Sequence, residues 1–194
     1  MRRVVVFDFD GTLTRKDTFL EFIRFTHGAW SLYAGLLLYA PLLILMKLHL
    51  YDNGKAKERL FSHFFKGWRY EAFKRKGEEF AGCIERFKRD DILTILKSHV
   101  EAGNDVYVVS ASMPEWVAPW CYRQGVCQVL GTLVEAGSDG LLTGRFASPN
   151  CYGQEKVNRL LGVEPHRSQY HLSAYGDSRG DKEMMEFADD GLIC

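Results

Sequence analysis

The sequence lacks a cysteine pattern that would indicate a metal or disulfide scaffold. Its five cysteines are odd in number, widely scattered and contain no C-x-x-C pair. This distribution argues against a structural zinc site and a disulfide framework, and it indicates a reducing compartment. The cytoplasm is therefore the predicted location.

The sequence also lacks a surplus of charge of either sign. Its 25 lysine and arginine residues equal its 25 aspartate and glutamate residues, so no overall field favours nucleic acid or an anionic membrane. The apolar run from Val4 to Phe7 stops at Asp8, which is too soon for the apolar region of a secretory signal. Nucleic acid is not an expected partner, and a small anionic substrate would need a local positive site.

One long uncharged stretch contrasts with this balance. Residues 28–46 hold no charged side chain, and as a helix they would span about 28 Å, close to the thickness of a bilayer core. Pro41 favours two alternatives to a single transmembrane span, namely a buried helical pair broken near this proline or a helix that dips into a membrane surface. Residues 31–50 are thus a candidate for buried core, dimer contact, or membrane or lipid contact.

Three short apolar runs predict buried strands at Arg3–Phe9, Asp105–Ser110 and Tyr170–Tyr175. Between the first two, apolar side chains recur at helical spacing from Asp17 to about Lys88. Strands alternating with helices predict an α/β fold with a Rossmann-like open parallel sheet and helices on both faces. We expect residues 1–16 and 89–194 to form the α/β core domain. Residues 17–88 would form an inserted all-α cap domain over the carboxyl edge of the sheet, where ligands bind in such folds.

Shorter elements fill the rest of the predicted core domain. Helical spacing and capping residues predict helices at Asp90–Ala102, from Pro114, at Gly153–Leu161 and from Asp181. Alternation and turn residues predict a strand pair of Gln128–Glu135 with Leu141–Ala147, and a last strand from Gly191 to Cys194.

Polar residues stand at the end of each of the three buried strands. Asp8 and Asp10 belong to the first end, Ser110 to the second and Asp177 to the third, while Lys156 starts a helix between the last two. Because the carboxyl ends of parallel strands lie at one edge of a sheet, we expect these side chains to converge.

Two carboxylates at this spacing suit phosphoryl transfer. Asp8 can attack phosphorus, while Asp10 can protonate the leaving oxygen and later activate water. Gly11 then allows the chain to turn closely around a ligand. Crowded carboxylates repel one another, and Mg²⁺ relieves the repulsion; we expect Asp8 and Asp177 as side-chain ligands, joined by the main-chain carbonyl of Asp10. Lysine, hydroxyl and amide donors at the same edge would neutralise the phosphoryl oxygens.

Four motifs occur in a fixed order, namely the D-x-D-G-T segment at Asp8–Thr12, the strand-end Ser110, the lysine Lys156, and the acidic pair Asp177 and Asp181. With them the chain resembles the haloacid dehalogenase-like (HAD) phosphatases, and within these the phosphoserine phosphatase-like subgroup (subfamily IB). The resemblance implies Asp8 as nucleophile and Asp10 as general acid and base. It implies phosphate binding by Ser110 and Lys156, and Mg²⁺ binding with Asp177 and Asp181 as metal-side carboxylates. It also implies a helical cap between the first and second motifs.

The chain departs from that subgroup in two places around the predicted pocket. Ala111 and Ser112 follow the motif serine where the subgroup has two glycines, and Gly180 stands where it has Asn. Two weaker correspondences lie in the cap: Asp17 stands where those enzymes carry a Glu for the substrate amine, and Arg59 about where they carry an Arg for the carboxylate. The expected substrate- and phosphate-binding residues are Gly11, Asp17, Arg59, Ser110, Ala111 and Lys156.

Plainer structural roles compete with these assignments. Ser110 or Ser112 would cap the following helix, Asp17 the helix through Phe22, and Asp181 would start a short helix. Arg59 lies on an otherwise charged face and would then be solvated.

Three functions stay open. The first is a HAD-type, Mg²⁺-dependent phosphomonoester hydrolase that forms an aspartyl-phosphate on a small phosphorylated metabolite, with a phosphoserine-like substrate included. The second is the same chemistry on a phosphatidylglycerophosphate-type lipid at a membrane, because Leu36–Met46 and Cys151–Lys156 resemble segments of such enzymes. The third is a degenerate phosphate-binding or regulatory domain, which the second carboxylate at Asp10 disfavours.

Overall fold

The computed structural model describes residues 2–48 and 50–194. Met1 and His49, the latter within the predicted segment 31–50, lie outside it. The strands of the described residues are Arg2–Phe7 (β1), Asp105–Val109 (β2), Gln128–Leu130 (β3), Val134–Ala136 (β4), Leu142–Phe146 (β5), Tyr170–Gly176 (β6) and Asp190–Ile193 (β7). The α-helices of the described residues are Thr18–Leu38 (α1), Ala40–Lys47 (α2), Asn53–Phe65 (α3), Tyr70–Ala81 (α4), Asp90–Glu101 (α5), Pro114–Tyr122 (α6), Gln154–Val163 (α7) and Lys182–Phe187 (α8), and 3-10 turns lie at Ile84–Arg86, Arg167–Gln169 and Arg179–Asp181.

Five strands form one parallel sheet in the order β3-β2-β1-β6-β7. Successive side chains of a strand point to opposite faces of the sheet. Val5 and Phe7 therefore join the apolar cluster that includes α5 and α6, whereas Val4 and Val6 join the cluster that includes α7 and α8. The predicted α/β fold with helices on both faces is confirmed.

Helices α1 to α4 lie between β1 and β2, as the helical spacing predicts. Their aromatic core runs without a break into the layer beside the sheet. Phe22 of α1 stacks on Phe65 of α3 and on Trp116 of α6, at centroid distances of 5.4 and 4.5 Å. The division into a core domain (1–16 and 89–194) and a cap domain (17–88) stays a prediction.

The uncharged stretch is broken twice. Gly28, with φ of +83°, interrupts the regular helix within α1, and α2 begins at Ala40 with Pro41 in its first turn. The predicted break near Pro41 is confirmed. The buried alternative is wrong for α2, none of whose residues is buried. Among the described residues no single helix is long and apolar enough to cross a membrane, although the α1–α2 pair, bent by 65°, meets the test of length and composition.

The predicted strand pair of Gln128–Glu135 with Leu141–Ala147 is wrong in its first half. That run splits into β3, which joins the parallel sheet, and β4, which pairs with β5. Gly131 lies between the two strands, where a side chain would overlap the carbonyl oxygen of Ser112 and the ring of Pro114. The β4–β5 hairpin packs on α3, and the Gly67 amide donates to the Leu142 carbonyl at 2.8 Å.

Candidate active site

The carboxyl edge of the sheet brings the predicted motifs together. Asp8 follows β1 and continues its pairing, because its amide donates to the Tyr175 carbonyl of β6 at 2.9 Å. Asp177 follows β6, and Lys156 lies in the first turn of α7. This convergence follows from the parallel arrangement of the strands.

Lys156 is the buried cation of the site. Its ammonium donates to Asp8 Oδ1 at 2.5 Å and to Asp181 Oδ1, and only 3% of its side chain is exposed. Burial lowers the pKa of Lys156, but the charges of Asp8 and Asp181 outweigh burial and hold the pKa above its usual value. The ammonium is therefore charged at neutral pH and lies next to the predicted nucleophile.

Three carboxylates form what we call the acidic cluster, made of Asp8, Asp177 and Asp181. One oxygen from each lies within 4.8 Å of the others. Burial raises the pKa of Asp8 to about 7, although Lys156 opposes the rise. Burial, followed by the charge of Asp181, also raises the pKa of Asp177. An ionised cluster therefore needs more positive charge than one lysine supplies, and an all-oxygen donor set of this kind fits Mg²⁺.

Gly11 makes room for this cluster. Its φ of +92° is in the left-handed region that favours glycine. A β-carbon at this position would also overlap the Asp177 carboxylate. The predicted close turn around the ligand site is thus a close approach of the loop to an acidic side chain.

Asp181 has a structural role in the loop after β6, and its predicted metal role stays a prediction. Its Oδ2 accepts from the Ser178 amide and hydroxyl, at 3.0 and 2.8 Å, which caps the short turn Arg179–Asp181. Its Oδ1 accepts from Lys156. The residue therefore orders the loop after β6 and belongs to the acidic cluster at the same time.

The carboxylate of Asp10 lies in a separate network. Its Oδ1 accepts from the amide and hydroxyl of Thr18, at 2.8 and 2.6 Å, and its Oδ2 accepts from the Ser112 hydroxyl at 2.5 Å. Burial, followed by the charge of Asp17, raises the pKa of Asp10. The two aspartates of the D-x-D motif therefore have different surroundings, and a metal role for Asp10 would rest on its main-chain carbonyl alone.

Sequence reasoning missed the residues of this second network. The predicted capping role of Ser112 is wrong, because the cap residue of α6 is Met113, without a side-chain hydrogen bond. Thr18 also accepts from Trp116 Nε1 at 3.1 Å. The only signal available beforehand was the position of these residues, beside Asp17 and after the predicted serine Ser110.

Ser110 itself is buried at the carboxyl end of β2. Its hydroxyl accepts the amide of Ser112 at 3.0 Å, so it orders the turn that follows the strand. Its neighbour Ala111 forms part of the wall of a cavity above Asp8. The phosphate-binding role of both residues stays a prediction.

This cavity, the site cavity, has a volume of about 670 Å³ and is lined by residues of the carboxyl edge of the sheet and of helices α1 to α3. Asp8, Asp10 and Lys156 are among the residues that line it. Most of the remaining wall is apolar and comes from the inserted helices, with Phe19, Leu20, Leu36, Ala40, Leu43, Ile44, Met46, Ala56 and Leu60.

The two substrate-binding residues predicted in the cap differ in their position relative to the site cavity. Asp17 borders the site cavity and also caps α1, accepting from the Leu20 amide at 3.1 Å. Arg59 is exposed, lies outside the lining of the cavity and donates to the Tyr51 hydroxyl at 3.3 Å, so its substrate-binding role stays a prediction. Lys57 lines the cavity instead and donates to the Ala111 carbonyl at 2.9 Å. The reason is helix rotation, since Lys57 shares the cavity-facing side of α3 with Ala56 and Leu60.

Gly180, one of the departures from the subgroup, also has a structural consequence. A β-carbon there would overlap the ring of Tyr152. Both residues line the site cavity. The glycine thus lets an aromatic side chain form part of the wall near Lys156.

Comparison with known proteins supports these observations. The family model described as haloacid dehalogenase-like hydrolase matches residues 5–186. The protein CicA of Caulobacter vibrioides is 33% identical over 191 residues, which are 96% of this chain and 83% of that protein. A histidinol-phosphatase of Neisseria meningitidis is 29% identical over 97 residues, which are 47% of this chain and 43% of that protein.

Solved structures support the fold. A protein of unknown function from Bordetella pertussis has a TM-score of 0.80 at 22% identity, with 96% of this chain and 86% of that chain covered. A phosphoserine phosphatase, described as a phospho-aspartyl intermediate analogue, has a TM-score of 0.63 at 19% identity, with 99% and 85% covered.

Proposed function

Since the chain belongs to the haloacid dehalogenase-like hydrolases, we propose that it is a Mg²⁺-dependent phosphomonoester hydrolase that forms an aspartyl-phosphate on Asp8. One observation carries the proposal. Asp8 lines the site cavity, accepts a hydrogen bond from Lys156 and belongs to the acidic cluster, while Asp10 lies in a separate hydroxyl network. In this proposal residues 1–16 and 89–194 hold the reacting groups, and the cap of residues 17–88 supplies the apolar wall.

The first step is the attack of an Asp8 carboxylate oxygen on phosphorus. The bond from phosphorus to the leaving oxygen breaks, and Asp10 donates its proton to that oxygen. Its raised pKa, caused by burial, suits a group that must hold a proton before the step. Lys156 neutralises charge on the transferring phosphoryl group.

The second step restores Asp8. Asp10, now ionised, accepts a proton from water as the water oxygen attacks phosphorus; the bond from phosphorus to the Asp8 oxygen breaks, and phosphate leaves. The acidic cluster and the Asp10 carbonyl would hold Mg²⁺, which supplies neutralising charge to the phosphoryl oxygens when bound.

The decisive variant is Asp8→Asn, which removes the nucleophile with little change in shape. We expect hydrolysis of an aryl phosphate to fall to background with the fold retained, as judged by circular dichroism. Wild-type protein quenched in acid during turnover should carry phosphate that hydroxylamine releases, as acyl phosphates do.

Asp90→Asn, at an exposed position in the first turn of α5, is the matched control and should keep both signals. Residual turnover near the wild-type value in Asp8→Asn would overturn the covalent mechanism. Wild-type protein that binds phosphate without any turnover would support the degenerate binding domain instead.

The wall of the site cavity favours the second of the predicted substrate classes, a phosphate ester with an apolar group. A phosphoserine-like substrate needs a cation for its carboxylate, but the predicted Arg59 lies outside the cavity lining, and Lys57, which lines it, already donates to the Ala111 carbonyl. The wall contributed by α1 and α2 is mainly apolar, with Phe19, Leu36 and Leu43 among its residues. An apolar alcohol, as in a phosphatidylglycerophosphate-type lipid, would bury its chain against these side chains.

A series of alkyl phosphates of increasing length tests this class. Each buried methylene contributes about 0.8 kcal/mol, so kcat/KM should rise up to about fourfold per methylene until the cavity is filled. Leu43→Gln should reduce the gain per methylene. A flat series, with O-phosphoserine as the better substrate, would overturn the apolar class in favour of a small polar metabolite.

A further inference from the structure

We propose that the outer face of α1 and α2 docks on the surface of a phospholipid bilayer. This surface, the α1–α2 face, consists of exposed apolar side chains that follow the kink at Gly28. They are Trp30, Tyr33, Leu37 and Leu38 of α1, Ile44 and Leu45 of α2, and Leu48. The proposal gives the proposed function a partner and explains how an apolar phosphate ester would reach the site.

The second half of α1 is apolar on two sides. Trp30, Tyr33 and Leu37 recur at helical spacing on the outer side. The inner side packs on α3, where a β-carbon at Gly35 would overlap the ring of Phe64. An ordinary surface helix has a polar outer side, so the packing of α1 against the protein leaves its outer apolar side unexplained.

The apolar side chains of this face are strongly exposed. Trp30 is 89% exposed and Leu37 77% exposed, and no charged residue occurs between residues 28 and 46. Trp and Tyr are enriched at the level of lipid head groups, and Trp30 and Tyr33 stand together at one end of the face. Lys47, exposed at the end of α2, can contact anionic head groups.

Continuity with the site cavity favours a bilayer over a protein partner. Ile44 is 58% exposed on this face and also lines the site cavity, as does Lys47. A protein seated here would cover the cavity at that point. A bilayer would instead present an amphiphilic phosphate ester there, with its chain already in an apolar phase.

The geometry indicates that α1 and α2 lie on the membrane surface and do not cross the bilayer. The eight residues of α2 are about 12 Å long, well short of the roughly 30 Å of a bilayer core. The 65° bend between α1 and α2 also prevents one straight span. Helices with an apolar side of this kind enter the interface by about 5 to 10 Å.

Tryptophan emission tests the docking directly. Trp116 and Trp120 are buried and Trp68 is half-buried, so Trp30 is the most exposed of the four tryptophans. Vesicles of phosphatidylcholine, with and without phosphatidylglycerol, should shift the emission of the full chain to shorter wavelength. Trp30→Phe should lose that shift while still floating with the vesicles.

Flotation of variants completes the test. Leu37→Glu and Trp30→Glu should each lower the partition coefficient by about tenfold or more, because a charge replaces a buried apolar side chain. Tyr122→Glu, at a 53% exposed residue of α6, is the matched control and should float as wild type does.

Two results would overturn the docking: a wild-type chain that stays in the aqueous fraction with both compositions, or Leu37→Glu and Tyr122→Glu floating alike. Sedimentation equilibrium detects the competing occupant, since a dimer dissociated by Leu37→Glu without vesicle binding assigns the face to a second copy. Hydrolysis of a short, soluble phosphate ester tests the proposed function separately. It should be unchanged in Leu37→Glu, which also reports that the variant folds.

Discussion

At the scale of single residues, Asp10 is held by side chains from two distant parts of the chain. Thr18 comes from the first turn of α1, and Ser112 follows β2. Trp116 of α6 donates to Thr18 and thereby fixes the hydroxyl that Asp10 accepts. Both oxygens of the proposed proton donor are therefore oriented before a substrate binds, and that orientation depends on the contact of α1 with the sheet layer.

Ser112→Ala tests this positioning role. General acid catalysis contributes most when the leaving group is a poor one. We expect kcat/KM for an alkyl phosphate to fall about tenfold or more, and that for a nitrophenyl phosphate to change little. Steady-state kinetics on the two substrates measure the difference. Equal losses of kcat/KM on the two substrates would assign Ser112 a merely structural role. The control is Ser98→Ala, which removes an exposed hydroxyl of α5 and should leave both kcat/KM values unchanged.

The residues that could be predicted are those whose position follows from strand ends. Asp8 and Asp177 end neighbouring parallel strands, so their convergence follows from topology alone. Ser112 and Lys57 could not be assigned in this way. Their side-chain directions depend on a loop after β2 and on the rotation of α3, which only tertiary packing fixes.

At the scale of elements, a charged network joins the ends of the strands opposite the site. Arg2 of β1 donates to both oxygens of Glu164, at 2.7 and 2.6 Å, and to Asp105 of β2 at 2.6 Å. Tyr107 of β2 donates to the same Glu164 at 2.5 Å. The segment after α7 is thereby tied to β1 and β2 at the amino edge of the sheet.

Glu164→Gln should destabilise the protein in a pH-dependent way. Hydrogen bonds from Arg2 and Tyr107 lower the pKa of Glu164, with the Arg2 bond the larger cause. A carboxylate whose pKa is lowered in the folded state stabilises the protein at any pH above its unfolded-state pKa. This stabilisation is lost as the pH falls through its folded-state pKa. At about pH 7 we expect a loss of about 1 to 2 kcal/mol in the free energy of unfolding, limited because Arg2 is half exposed.

Urea unfolding at about pH 7 and below about pH 4 measures this difference. The difference in the free energy of unfolding between wild type and Glu164→Gln should be smaller at the lower pH. Glu186→Gln, whose exposed partner Lys182 lies 3.7 Å away, should differ little from wild type at either pH. A gap that stays constant would contradict the assigned pKa shift.

The elements that could be predicted are the long periodic ones. The β-branched run of β1 and the helical spacing of α5 each specify one structure, and both are where the sequence indicates. The strand β3 is three residues long and β4 is three residues long. Strands this short carry almost no periodic signal, so their partners depend on contacts with the sheet and with α3.

At the scale of the whole molecule, the acidic cluster concentrates negative charge that a bound cation would relieve. The fold brings three carboxylates from β1 and the segment after β6 to within 4.8 Å, with Lys156 as their near cation. The raised pKa of Asp177, caused by burial and by Asp181, means that its ionised form costs stability in the folded protein. In the unfolded chain these carboxylates are separated and well solvated.

Because the ionised Asp177 costs stability until a cation binds, we expect Mg²⁺ to reverse the order of thermal stability of wild type and Asp177→Asn. Without a divalent cation, Asp177→Asn should have a Tm equal to or above that of wild type, because it removes a repelled charge. A Mg²⁺ ion held by the acidic cluster would bind the folded chain and not the unfolded one, so at a hundredfold excess over Kd it should raise the wild-type Tm by about 5 to 10 °C. In Asp177→Asn the rise should be much smaller, so that wild type becomes the more stable protein.

Calorimetry with chelator and with Mg²⁺, at matched ionic strength, measures all four melting temperatures. Asp90→Asn is the control for the loss of one negative charge, and its Tm should rise with Mg²⁺ as the wild-type Tm does. The essential result is that the order of the two melting temperatures, wild type and Asp177→Asn, reverses when Mg²⁺ is added. An ordinary destabilising substitution lowers Tm under both conditions. A wild-type Tm that does not change with Mg²⁺ would contradict the proposal that the acidic cluster binds this cofactor.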